Sequence, residues 1–219
     1  MNIPELIKEA HDNAVERGFY DCVECEGSGK DEHTSIAIPD KPHPDCPVCK
    51  GSKINPNRNI GELLMLIVSV LGEALEAHRC GRFALKNETT HFITMFTLDN
   101  VEKDHIWISE FESQIKDTFE DEIADVFIRL FDLCGYLGIE LNTGSFYWYI
   151  GNFKNIGEEL FECVQFLNDF KRDPEDCYLD VFADKLFYIC QSHNIPIEKH
   201  IKAKMAYNRI RPHKHNKEY

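Results

Sequence analysis

At 219 residues the chain is long enough for one large domain or two small ones with a proper core, and with 43% hydrophobic and 28% charged residues it is not a wholesale disordered polymer. The longest apolar run, Leu63 to Leu71, is far too short to cross a bilayer, and the N-terminus Met-Asn-Ile-Pro-Glu-Leu lacks the basic and apolar stretches of a signal peptide, so the expected location is the cytoplasm, with no membrane partner. A net charge of −14 argues against non-specific attraction to a nucleic-acid backbone.

In chain order, residues 3–17 read as a helix closed by Gly18, with Pro4 at a permitted first-turn position. Residues 20–57 are rich in Gly, Pro, Asp, Asn and Ser and carry paired cysteines, so they form a loop module. Asn59 caps a long helix from Ile60 to about His78, with apolar residues at 60, 63, 64, 67, 71, 74 and 75. Residues 81–112 are mixed. A second strong helix runs from about Ile115 to Tyr136 and stops near Gly138. An aromatic loop follows at 142–154, whose Phe146, Tyr147, Trp148 and Tyr149 serve either core packing or base stacking. Helices at roughly 156–171 and 176–192 flank Asp173-Pro174, and Pro196 opens a last helix that reaches about Arg209 before Pro212.

Strand signals are weak throughout, so the expected fold is all-α: a four-helix-bundle core with extra N- and C-terminal helices and a small zinc-binding loop module. The expected organisation is an N-terminal helix (1–19), a knuckle insertion (20–57), a helix pair (58–140) interrupted at 81–112, a second helix pair (141–193), and a C-terminal helix with a basic tail (194–219). A faint internal repeat links the two pairs. Asn59-Ile60-Gly61-Glu62 recurs as Asn155-Ile156-Gly157-Glu158, and Asp121, Ala124 and Asp125 match Asp180, Ala183 and Asp184.

Nine cysteines in a cytosolic chain read as thiols or metal ligands. Cys80, Cys134, Cys163, Cys177 and Cys190 fall singly within helical patterns, where a buried thiol is the plain reading. The other four form two CxxC pairs, Cys22-Val-Glu-Cys25 and Cys46-Pro-Val-Cys49, which together offer the four thiolates of a closed tetrahedral structural Zn²⁺ site. His33 and His43 are nearby substitutes. The glycines after each pair resemble the CxxCxGxG repeat of DnaJ-type zinc domains, a likeness that implies a metal knuckle and not chaperone activity.

The long helices carry acids on inward-leaning stripes. Glu73 continues the line Leu66, Val70, Ala77, and Glu122 falls between Phe119 and Val126; Glu76 and Asp125 lie one turn on from each. Carboxylates presented inward from two helices make the hard-oxygen site that Mg²⁺ prefers, or else pair with Arg79 and Arg129 at an exposed face. The last nineteen residues run against the acidic trend, with Lys202, Lys204, Arg209, Arg211, Lys214 and Lys217 against Glu218 alone.

The segments Leu-Gly-Glu73-Ala-Leu-Glu76-Ala-His-Arg79 and Glu122-Ile-Ala-Asp125-Val-Phe-Ile-Arg, with the ending from Lys204 to Tyr219, resemble the MazG-like enzymes and the related all-α dimeric dUTPases and dCTPases. The resemblance covers residues 1–19, 58–140 and 195–219. It implies an ExxE…ExxD set, here Glu73, Glu76, Glu122 and Asp125, holding catalytic Mg²⁺ against a nucleoside triphosphate. Cleavage falls between the α- and β-phosphates, and Lys204, Asn208, Arg211 and Lys214 neutralise the substrate. A homodimer is compatible with it. One position departs: the first Glu of the family's ExxE falls on Val70. Either three acids suffice with Glu76 shifted in, or the site is weakened to nucleotide or partner binding, or Glu159 and Glu162 contribute.

Overall fold

The computed structural model describes residues 1–31, 43–84, 105–144 and 155–216. Among them are seven α-helices: α1 (Ile3–Glu16), α2 (Ile60–Arg79), α3 (His105–Gln114), α4 (Phe119–Leu137), α5 (Ile156–Arg172), α6 (Asp176–His193) and α7 (Ile197–Ile210), followed by a short 3₁₀ turn, His213–Asn216. The fold is all-helical, and its β pairing among the described residues is confined to two isolated bridges. No described helix is long and apolar enough to cross a membrane.

The described chain divides into two compact units, Met1–His11 with Ile60–Arg211, and Asp12–Asn59 with Pro212–Tyr219. In the first, α2 packs on α4 and α5 on α6, while α2 also meets α5 and α4 meets α6, so the repeated segments face each other across the bundle. The centre is apolar and fully buried: Ile67 and Ala74 on α2, Phe119, Ile123, Phe127 and Phe131 on α4, Cys163 and Leu167 on α5, Phe182, Leu186 and Ile189 on α6. Burial of this many large side chains is the main favourable term holding the helices together. A smaller cluster joins α3 to α7, with Trp107, Phe111 and Tyr207 stacked at ring separations of 5.2 and 4.6 Å. Part of the mixed 81–112 segment is therefore a helix anchored on α7; residues 85–104 lie outside the described residues, as do Phe146, Tyr147, Trp148 and Tyr149.

Helix ends follow their caps. The second long helix starts at Phe119, four residues later than its apolar pattern suggests, because the Thr118 side chain accepts the Asp121 amide and Asp117 sits at φ +63°. It stops at Gly138, left-handed at φ +69°, as the sequence indicates. Asn155 likewise caps α5 through the Glu158 amide.

Candidate functional site

The second unit is organised around sulfur. Cys22, Cys25, Cys46 and Cys49 are all buried, and their ligating atoms all lie within 4.8 Å of one another. Among the described residues no other group of three or more His, Cys, Asp or Glu meets that measure. Sγ atoms of Cys22 and Cys46 are 3.9 Å apart, those of Cys25 and Cys49 3.7 Å. A tetrahedron with Zn–S bonds of about 2.3 Å has edges of about 3.8 Å, so these separations suit a four-thiolate ion. His43 is exposed and outside the group; His33 lies outside the described residues.

Local sequence builds the two knuckles alike. Cys22 and Cys46 donate their amides to the carbonyls of Lys53 and Gly29, each knuckle thus tying down the other, and Ser28 and Ser52 donate back to Cys25 and Cys49. Gly27 and Gly51 take φ of +79° and +84°, and a Cβ at either would meet the carboxylate of Asp21 or Asp45, the residue before each first cysteine. The symmetry breaks at one place: Gly29 in the first knuckle corresponds to Lys53, held at φ +71°. The Gly29 amide donates to Cys25 Sγ at 3.3 Å. Burial raises Cys49, but backbone donors from Lys53 and Gly51 and the neighbouring thiols bring it down to about 7. Backbone donors from Cys49 and Val48 pull Cys46 down; burial and the thiols of Cys49 and Cys25 outweigh them and push it to about 11.

In the helical unit, Glu122 is buried on the inner face of α4 and Asp125 is half-buried one turn on. Burial is the main cause that lifts the Glu122 carboxyl to about 8, and the charges of Asp121, Asp125 and Glu73 add to it against the pull of Lys204. Lys204, itself buried, places its ammonium 2.5 Å from Asp121 Oδ2, which also accepts the Asp117 amide at 3.1 Å. The charges of Asp121 and Asp125 hold the Lys204 ammonium protonated despite burial. Asp121 Oδ1 is buried with no hydrogen-bond partner among the described residues. One ammonium thus faces an excess of carboxylates.

The other acids stand differently. Glu73 is exposed, contrary to the stripe read from sequence, because the buried arc of α2 is centred on Ile67 and Ala74 and position 73 falls beyond its edge. Glu76 is exposed, 3.0 Å from Arg79, and accepts the Cys80 thiol at 3.2 Å. Val70 is buried in the core. Glu159 and Glu162 face inward, but onto Lys185 of α6, which is fully buried between Glu159 and the Glu162 carboxylate at 2.7 Å. Asp180 and Asp184 accept the amides of Asn142 and Gly144. On α7, Asn208 is buried and accepts from Arg211 at 3.4 Å; Lys214 belongs to the knuckle unit, its amide donating to the Arg17 carbonyl at 2.8 Å.

Lys185 and Asp121 are the residues that site reasoning from sequence missed. The signal for Lys185 was a lone cation inside the buried run Leu179–Leu186, opposite an ExxE. Of the single cysteines, Cys134, Cys163 and Cys190 are buried, Cys177 is half-buried and Cys80 is exposed. No protein-family model, curated protein or solved structure matches the chain.

Proposed function

We propose that the protein is a Mg²⁺-dependent, cytoplasmic nucleoside-triphosphate pyrophosphohydrolase, with a structural zinc in its knuckle. The observation that carries this reading is the Glu122 carboxyl, buried on α4 beside the buried Asp121, where burial and the charges of Asp121, Asp125 and Glu73 raise its proton affinity and Lys204 opposes them. Such a surplus of hard-oxygen donors fits a divalent cation, and the resemblance of both helix segments to MazG-like enzymes supports the same conclusion. Glu73, Glu122 and Asp125 would hold the ion, with Glu76 engaged by Arg79 and Cys80.

A bound Mg²⁺ would supply charge neutralisation at the phosphoryl oxygens. In the reaction, water attacks the α-phosphorus, the bond to the bridging α,β-oxygen breaks, and pyrophosphate leaves with that oxygen. One carboxylate of the set Glu73, Glu122 and Asp125 takes the proton of the attacking water. Arg211 orients a phosphate by its planar fork, anchored through Asn208. Lys204 acts as a positioning residue, since its ammonium is spent on Asp121.

A second reading rests on Val70. A buried valine where the family has a glutamate fits a protein that binds a nucleotide or partner without turnover. A nucleoside-triphosphate panel with Mg²⁺, scored by pyrophosphate release, separates the two: release above background supports the enzyme, and tight binding without release supports the alternative.

A further inference from the structure

We propose that the four-cysteine knuckle is a metal-dependent clasp for the chain's own C-terminal segment, Pro212–Asn216. That segment belongs to the same compact unit as Asp12–Asn59. Three contacts seat it. His213 Nε2 lies 3.0 Å from Asp21 Oδ2, and the Lys214 amide donates to the Arg17 carbonyl at 2.8 Å. Gly18 is the floor of the seat: it sits at φ +82°, and a Cβ there would fall 1.9 Å from His213 Nε2 and 2.7 Å from Asp21 Oδ2.

The dependence on metal follows from what positions those groups. Asp21 immediately precedes Cys22 and bridges to Ile54, and the Cys22 amide is bonded to the Lys53 carbonyl. Among the described residues of this unit the buried hydrophobic side chains are Tyr20 and the four cysteines. Without an ion joining the thiolates, the described residues hold the Asp21 turn to the second knuckle by backbone bonds, Cys22 to Lys53 and Asn55 to Tyr20, each far weaker than the metal site. The His213–Asp21 pair lies largely in solvent, where such a pair holds weakly, so it opens readily once the turn loosens.

The test is limited trypsinolysis of the full-length, zinc-loaded protein, following by mass spectrometry the rate at which chains ending at Lys214 appear. Chelation, or Cys22→Ser with Cys46→Ser, is expected to speed that cleavage roughly tenfold. His213→Ala should do the same while zinc content and helical circular dichroism stay at the parent's values. Because His213 is exposed, this variant keeps the test open even if the double-serine variant fails to fold. Equal rates with and without zinc, or parental rates in zinc-loaded His213→Ala, would overturn the clasp. No nucleotide enters the measurement, so a parent protein without turnover defeats the hydrolase reading and leaves this result standing.

Discussion

Lys204 on α7 and Asp121 on α4, 83 positions apart in the chain, are joined by a 2.5 Å charged hydrogen bond in which both side chains are buried. The bond ties the last helix to the helix that carries Glu122 and sets the field in which that carboxyl titrates. Removing one partner leaves the other charge buried and alone. Lys204→Met should therefore cost about 3–5 kcal/mol in urea melts. Lys204→Met combined with Asp121→Asn should recover most of that loss. A double variant no better than the single would show that packing, not the charge pair, sets the cost.

The purified protein should carry one zinc per chain, bound by Cys22, Cys25, Cys46 and Cys49. Site assembly supplies on the order of 10 kcal/mol of apparent binding free energy in small knuckles. Elemental analysis checks this: the four-Ser variant should lose its zinc, and undiminished metal there would end the assignment.

Lys53 stands where the first knuckle has Gly29, in a left-handed conformation that costs a side-chain-bearing residue. Lys53→Gly should raise the knuckle's stability by about 0.5 kcal/mol, after the entropy that glycine adds to the unfolded chain. Thermal melts of the zinc-loaded proteins read it, and a lower melting temperature in the variant would contradict it.

Two groups bend the stability curve in opposite directions. Glu122 ionises near 4.5 unfolded but near 8 folded, so the folded state holds its proton longer and stability falls as pH rises across that window, by on the order of a few kcal/mol. His200 is buried and pushed down to about 4 by desolvation. It is protonated in the unfolded chain below about 6.5, and stability falls as pH drops from there towards 4. Glu122→Gln should flatten the alkaline side only, His200→Leu the acid side only. Added Mg²⁺ should restore stability at pH 8 in the parent and not in Glu122→Gln; identical curves for all three proteins would refute both assignments.

How much of this was legible beforehand depended on range. The knuckle was, because four thiols, two spacings and the following glycines are local and chemically specific. The helices were too, since the apolar period reports the buried face of α2 and α4 over many turns. What failed was finer or longer in reach. Ile115 continues the apolar pattern of α4, yet Thr118 caps the helix three residues later, since one side-chain hydrogen bond outweighs a continued stripe. Glu73 shares a row with Val70 and Ala77 but lies outside an arc centred elsewhere, which depends on what α4 and α5 cover. The pairing of Lys185 with Glu159 and Glu162 joins separate helices, and that ion pair shows why this ExxE faces inward.

The most direct measurement of the central claim is Mg²⁺-dependent pyrophosphate release by the parent, Glu122→Gln and Asp125→Asn side by side, with circular dichroism to confirm the helical fold. An amide keeps the side chain's shape but cannot become the carboxylate that holds the ion, as Glu122 does on giving up its proton. The parent should release pyrophosphate, and both variants should lose about 100-fold or more of that activity. Variants that turn over like the parent would contradict it.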